Sequence, residues 1–212
     1  MRIFITGCAG SGTTLLNRLF LAFEDTDVIS REAPLRELVE AESDKKFIIR
    51  KRTFNQIFSG SYAMIEAGPT LLHQINMIQD NDIQIINMIR DGRDLMPRPN
   101  HEKYRYCPRW IDSIDQIKKY GHLISATIRY EDLVTDPDEI QRGLVERYGL
   151  KVLHKFSDYP KFMTFGDEAK NWIHKNRPIS PDRIGKNNGA YKIECADMMH
   201  EFERALRYLN YT

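Results

Sequence analysis

Apolar and polar positions along this chain follow two periods in turn. Ile3-Phe4-Ile5, Ile83 to Ile89 and Leu123 to Tyr130 are short, mostly apolar runs bounded by glycine or charge, the pattern of strands covered on both faces. Elsewhere apolar residues recur every three or four positions. Leu15, Leu16, Leu19, Phe20 and Phe23 predict a first helix ending near Phe23. Leu71, Leu72, Ile75 and Ile78 predict another, broken at Asp80-Asn81-Asp82, and Trp110, Ile111, Ile114 and Ile117 predict a third that ends near Gly121. Asp136-Pro137 supplies an N-cap and a first-turn proline for a helix through Ile140, Leu144 and Tyr148 that Gly149 closes. In a last helix, Cys195, Met198, Met199, Phe202, Ala205, Leu206 and Leu209 share one face, the methionines acting as core filler.

The weaker segments are read more coarsely. Asp27-Val28-Ile29 is a brief strand, and Ser30 or Arg31 precedes a helix carrying Leu35, Leu38 and Val39, with Glu32 at the strand-to-helix junction. Phe47-Ile48-Ile49 is a β-like core flanked by Lys45, Lys46, Arg50, Lys51 and Arg52, a cluster that reads as a solvated basic edge or, second, as a surface to greet an anionic acceptor. The stretch from Pro97 to Pro108 reads as an irregular excursion, Phe156 to Arg177 carries no clean period, and Ile179 to Gly189 is a loop by composition. Strand and helix alternate along most of the chain, which predicts an α/β fold: a three-layer, P-loop-like domain with a central mostly parallel sheet.

The first strand runs into Thr6-Gly7-Cys8-Ala9-Gly10-Ser11-Gly12-Thr13-Thr14. A glycine loop between a buried strand and a helix aims backbone N–H groups and the positive helix end at one point, which favours an anion. Gly7 and Gly12 have P-loop spacing, but Thr13 stands where a nucleotide triphosphatase carries lysine. The loop therefore suits a phosphosulfate, with less charge, better than a triphosphate with magnesium. The second strand ends in Arg90-Asp91-Gly92-Arg93-Asp94, and strand ends of an open α/β sheet meet at one crevice.

Composition narrows the classes. At 212 residues, 42% hydrophobic and 29% charged, the chain reads as one domain, 1–212. A net charge of +1 argues against a broad nucleic-acid surface. Cys8, Cys107 and Cys195 lack CxxC spacing and suggest neither a disulfide framework nor a zinc site; with no membrane-spanning run, a cytoplasmic, reducing setting is expected. The six histidines show no metal spacing.

Four segments, in order, resemble the sulfotransferase family that uses 3′-phosphoadenosine-5′-phosphosulfate (PAPS). Gly7 to Leu16 is similar to its 5′-phosphosulfate loop, and Ile85 to Asp94 to its strand and arginine turn for the 3′-phosphate. Ile128-Arg129-Tyr130-Glu131-Asp132-Leu133-Val134-Thr135-Asp136-Pro137 is similar to its internal signature, and Arg183-Ile184-Gly185 to the late loop that closes over the nucleotide. The likeness is to the compact bacterial-type members and the cores of the Golgi carbohydrate and tyrosine enzymes. It implies sulfuryl transfer from PAPS, leaving 3′-phosphoadenosine-5′-phosphate (PAP), to a hydroxyl or, second, an amine of a small-molecule or carbohydrate acceptor, with no metal. The cofactor-binding residues implied are Gly10, Ser11, Gly12, Thr13, Thr14, Arg90, Arg98, Tyr130, Arg183 and Gly185, with Tyr130 able to stack on adenine.

Two positions depart from the family pattern. Gly10 stands where most members have the lysine or arginine that neutralises the leaving oxygen, so another cation must take that role. Arg98 stands where a serine usually completes the 3′-phosphate site, and arginine can bind phosphate in bidentate fashion. Glu32 is the general-base candidate, as relatives acting on sugars and tyrosine carry a glutamate in this region; His101, in the excursion, is the reserve. Two other classes remain: a nucleotide kinase or triphosphatase with a degenerate loop, and a non-catalytic nucleotide-binding module. The acceptor and the oligomeric state stay open.

Overall fold

Ile3, Phe4 and Ile5 are all completely buried. Consecutive strand residues point to opposite faces, so this needs cover on both sides of the sheet. The computed structural model, which describes residues 1–52, 71–95, 106–162, 178–186, 189 and 191–211, supplies that cover. Strands β1 (Arg2–Gly7), β2 (Thr26–Glu32), β3 (Phe47–Lys51), β4 (Ile83–Ile89) and β5 (Ile124–Arg129) form one sheet in the order β2-β3-β1-β4-β5. Every neighbouring pair is parallel, with Ile3 level with Ile49 on one side and Gln84 on the other.

The helices divide between the two faces. Ile3, Ile5, Ile49, Ile86 and Met88 pack against Leu16 and Leu19 of α1 (Thr13–Leu19), Leu133 of α5 (Tyr130–Thr135), and Leu144 and Tyr148 of α6 (Pro137–Tyr148). Phe4, Ile48 and Ile85 face the other way, onto α2 (Leu35–Glu40), α3 (Leu71–Asp80) and α4 (Tyr106–Tyr120) through Leu35, Leu38, Ile78 and Tyr120. Further along that second face, Cys8 and Ile89 meet Trp110 and Ile114 of α4 and Phe202 and Leu206 of α9 (Met199–Tyr208). This is the three-layer α/β arrangement expected. Because the chain leaves β1 toward β2 on one side while β4 lies on the other, the crevice at the carboxyl end of β1 is a topological switch point.

Local chemistry fixes the element ends. The Asp136 carboxylate accepts from the Glu139 N–H at 3.1 Å and Pro137 opens α6; Gly149, at φ 65°, ends it by donating to the Val145 carbonyl. Two short pieces, a turn at Phe156–Asp158 and α7 (Tyr159–Phe162), lie in a stretch with no readable period, and α8 (Tyr191–Glu194) precedes α9.

Several expectations are corrected. The basic cluster is a solvated edge only in part: Lys45 and Lys46 are exposed, but β3 lies between β2 and β1, and Arg50 and Lys51 are buried. Ser30, Arg31 and Glu32 belong to β2, since Pro34 delays α2 to Leu35. Tyr130 opens α5 rather than ending a strand, helped by Glu131 and Asp132 in the first turn of that helix. Pro108 lies inside α4, not in the excursion. Cys107 and Cys195 are joined in a disulfide, their Cα atoms 5.6 Å apart, where cysteine number and spacing suggested no disulfide framework. No helix among the described residues is long and apolar enough to cross a membrane.

Candidate functional site

The loop after β1 is tight. The Ser11 N–H donates to the Cys8 carbonyl at 3.0 Å, and Gly10 and Gly12 have φ of 90° and 98°. Gly12 is required twice over: its φ lies where side chains are strained, and an added Cβ would sit 2.7 Å from the Tyr130 ring. Gly7 is equally confined, since a Cβ there would stand 2.4 Å from the Met88 carbonyl oxygen. Gly12 offers α1 no side-chain cap, and the first turn of α1 holds no acidic residue. Among the described residues the buried Ser11 hydroxyl has no hydrogen-bond partner, and Thr13, two positions on, is buried as well. A buried hydroxyl without a partner carries a desolvation penalty of about 1–3 kcal/mol unless a ligand satisfies it.

Arg90 reaches the same loop from β4. It is buried, and its guanidinium donates to the Gly10 carbonyl at 3.4 Å and to the Arg183 carbonyl at 3.0 Å while lying 4.1 Å over the Tyr130 ring. Tyr130 thus gives one side to Gly12 and a face to Arg90. The backbone of Arg90 is held as well, since its carbonyl accepts from the Trp110 indole at 3.0 Å. The Gly185 N–H donates to the Asp94 carboxylate at 2.8 Å, which fastens the exposed loop around Arg183 to the turn after β4. The structure therefore brings Gly10, Ser11, Gly12, Arg90, Tyr130, Arg183 and Gly185 together, with Thr13 and Thr14 opening α1. Arg98 and His101 lie outside the described residues.

Glu32 stands at the carboxyl end of the edge strand β2, two strand spacings from β1, or about 10 Å. Lys51 lies between. It is level with Ile5, is buried, and donates its ammonium to Glu32 Oε1. In the sequence Lys51 is one of five basic residues around β3 and is not singled out by type or spacing. The usable signal was the repeated pattern of an apolar run ending in a cation, seen at Arg50-Lys51, Arg90 and Arg129.

The other strand-end carboxylates are already engaged. Asp91 accepts from Arg93 Nε and Nη2 at 2.6–3.0 Å, and Glu131 accepts from the Asp91 N–H and the Tyr211 hydroxyl, each at 2.9 Å. Among the described residues no group of three His, Cys, Asp or Glu side chains is placed to hold a metal ion.

Compared with solved structures, the chain is similar to the sulfotransferase domain of the olefin synthase of Synechococcus PCC 7002. The TM-score is 0.60 over 100% of this chain and 95% of that one, at 13% sequence identity. The fold is that of a sulfotransferase domain. No protein-family profile matches the chain. Among curated sequences it is similar to Beta-glucosidase 44 of Arabidopsis thaliana, 27% identical over 123 residues. That stretch is 48% of this chain, which spans only 23% of the length of the curated relative. Glycoside hydrolysis needs a facing pair of carboxyl groups. At the carboxyl end of this sheet, Asp91, Asp94 and Glu131 are instead bonded to Arg93, the Gly185 N–H and Tyr211.

Proposed function

We propose that this chain is a PAPS-dependent sulfotransferase acting on a hydroxyl acceptor. The observation that carries the proposal is the meeting of two anion-binding features: the loop with the unpartnered Ser11 hydroxyl, and the buried Arg90 guanidinium that touches the same loop at Gly10. A donor with phosphate groups at both 5′ and 3′ positions matches that pair. Ser11, Gly12, Thr13 and Thr14 would hold the 5′-phosphosulfate through N–H groups and hydroxyls, and Arg90, oriented by Tyr130, the 3′-phosphate. The Arg183–Gly185 loop would cover the nucleotide.

Lys51 would supply the cation that Gly10 lacks. It is on the same sheet face as Ile5 and α1, buried where its charge acts through little water. Glu32 would act as base. The acceptor oxygen bonds to sulfur as the bond from sulfur to the 5′-phosphate oxygen breaks, which releases PAP, and the hydroxyl proton passes to the Glu32 carboxylate. By analogy with phosphoryl transfer, alignment counts for more than nucleophile strength. A kinase or triphosphatase reading fits less well, because loop position 13 is threonine and Asp91, the strand-end carboxylate a magnesium nucleotide would use, is held by Arg93.

Titration calorimetry in EDTA tests the proposal. PAP and PAPS should bind without metal and ATP far more weakly, and radiolabelled PAPS should label a member of a broad panel of sugars, alcohols and tyrosine peptides. Tight ATP binding that requires magnesium would overturn it.

A further inference from the structure

The turn that ends α9 is a built device. Asn210 is left-handed, with φ 57°; its N–H donates to the Arg207 carbonyl at 3.1 Å and the Tyr211 N–H to the Leu206 carbonyl at 2.9 Å. That double bond pattern is the Schellman motif, in which the residue after the left-handed one folds back on the helix. Tyr211 is accordingly buried in the cluster around Trp110 and Leu206.

Its hydroxyl then leaves the apolar cluster for a polar one. Tyr211 donates to Glu131 Oε2, and Glu131 Oε1 accepts from the Asp91 N–H, the peptide next to Arg90. Arg129 stacks over the other end of the arrangement, its guanidinium 4.6 Å from the Tyr211 ring centre, and donates to the Leu209 carbonyl. Tyr211 and Glu131 thus link α9, the start of α5 and the turn after β4. A carboxylate held on both oxygens has one orientation, so the Asp91 peptide is fixed and with it the direction of the Arg90 side chain.

We infer that Tyr211, acting through Glu131, is a positioning residue for the Arg90 anion site, setting how strongly the protein distinguishes a nucleotide with a 3′-phosphate from one without. This rests on the proposed use of Arg90, but the latch itself is a claim about the turn after β4 and is testable without nucleotide. Trp110 holds the Arg90 carbonyl from the other side, so the turn is gripped at two adjacent positions by groups from separate elements.

Y211F keeps the ring, its packing and the Arg129 stacking and removes only the hydroxyl. The inference expects PAP to bind about tenfold more weakly, the scale of one hydrogen bond to a charged group, with adenosine 5′-phosphosulfate affinity unchanged. It also expects faster amide hydrogen exchange across residues 90–94 in the nucleotide-free protein. A merely structural tyrosine would lower Tm and shift both ligands alike, and an unchanged affinity ratio in protein that binds PAP overturns the inference. Should the parent protein not bind PAP, the donor reading fails and the exchange result decides alone: faster exchange at 90–94 upholds the latch, and unchanged exchange overturns it.

Discussion

Lys51 and Glu32 close an ion pair across the carboxyl ends of β3 and β2, with the lysine side chain 4% exposed and the glutamate side chain 44%. The pair is lopsided: the cation depends on its partner more than the anion does. Removing the carboxylate leaves a buried ammonium without its charged partner, whereas removing the ammonium leaves a carboxylate that water can reach.

Glu32→Gln should therefore do two things. Turnover falls by about 10²–10⁴-fold, the contribution of a positioned general base. Tm also drops, by about 2–4 °C if the exposed half of the pair limits the loss to about 1 kcal/mol. Lys51→Met should lower turnover by about 10²–10³-fold, the scale for one preorganised group at a developing oxyanion, and should not lower Tm. Single-turnover rates with thermal melts on both variants check this. Turnover within a few-fold of the parent in Glu32→Gln would make Glu32 only the partner of Lys51.

Arg90→Ala separates the two anion features. It should weaken PAP by about 2–5 kcal/mol, the range for truncating one member of a buried charged contact, and leave adenosine 5′-phosphosulfate almost unaffected. Equal losses for the two ligands, measured by calorimetry, would mean that Arg90 serves the loop through Gly10 and not the 3′-phosphate.

What could be read from sequence was what is decided locally. β4 was readable because Ile83 to Ile89 is apolar on both faces and bounded by charge, and α6 because Asp136-Pro137 and Gly149 are cap chemistry within a few residues. Gly7 to Thr14 and Arg90 were readable because both lie at strand ends that an open sheet brings together. Lys51 was not, because in an isolated window a lysine among basic neighbours reads as exposed; its burial follows from β2 and β1 flanking β3, a fact of sheet order. The Cys107–Cys195 bond and the Tyr211–Glu131 contact likewise join residues 88 and 80 positions apart. Tyr130 was misplaced despite a local cue, the two first-turn acids that favour a helix start.

Alkaline pH should expose the buried tyrosines. Burial pushes the Tyr211 hydroxyl well above the ordinary phenol range, and the neighbouring Glu131 charge adds to it; burial also raises Tyr148, while the Ser125 hydrogen bond pulls it back in part. In both cases the folded chain favours the protonated form. Their contribution is fully present below about pH 10, where unfolded tyrosine begins to ionise, and is lost as pH climbs above that at up to about 1.4 kcal/mol per pH unit per group. Thermal melts from pH 8 to 11 should show a steeper alkaline fall for the parent than for Tyr211→Phe. Parallel curves would mean that the Tyr211 hydroxyl is not held protonated by the fold.

The disulfide makes the firmest demand on solution behaviour. Cys107 lies in the first turn of α4, which carries Trp110, and Cys195 just before the turn leading into α9, which carries Phe202; the two rings are 5.0 Å apart. The bond closes a loop of 88 residues, for which chain entropy alone predicts about 4–5 kcal/mol, and native bonds of this kind typically contribute about 2–5. Since Trp110 holds the Arg90 carbonyl, loosening α4 should also reach the proposed nucleotide site. Adding reductant should lower Tm by several degrees and weaken PAP binding, and Cys107→Ser should reproduce both changes and no longer respond to reductant. Unfolded without reductant, the parent chain should show one reactive thiol, and three after reduction, since Cys8 is not part of the bond. Three thiols at the outset in protein purified under air, together with a Tm indifferent to reductant, would show that the two cysteines are neighbours without being joined.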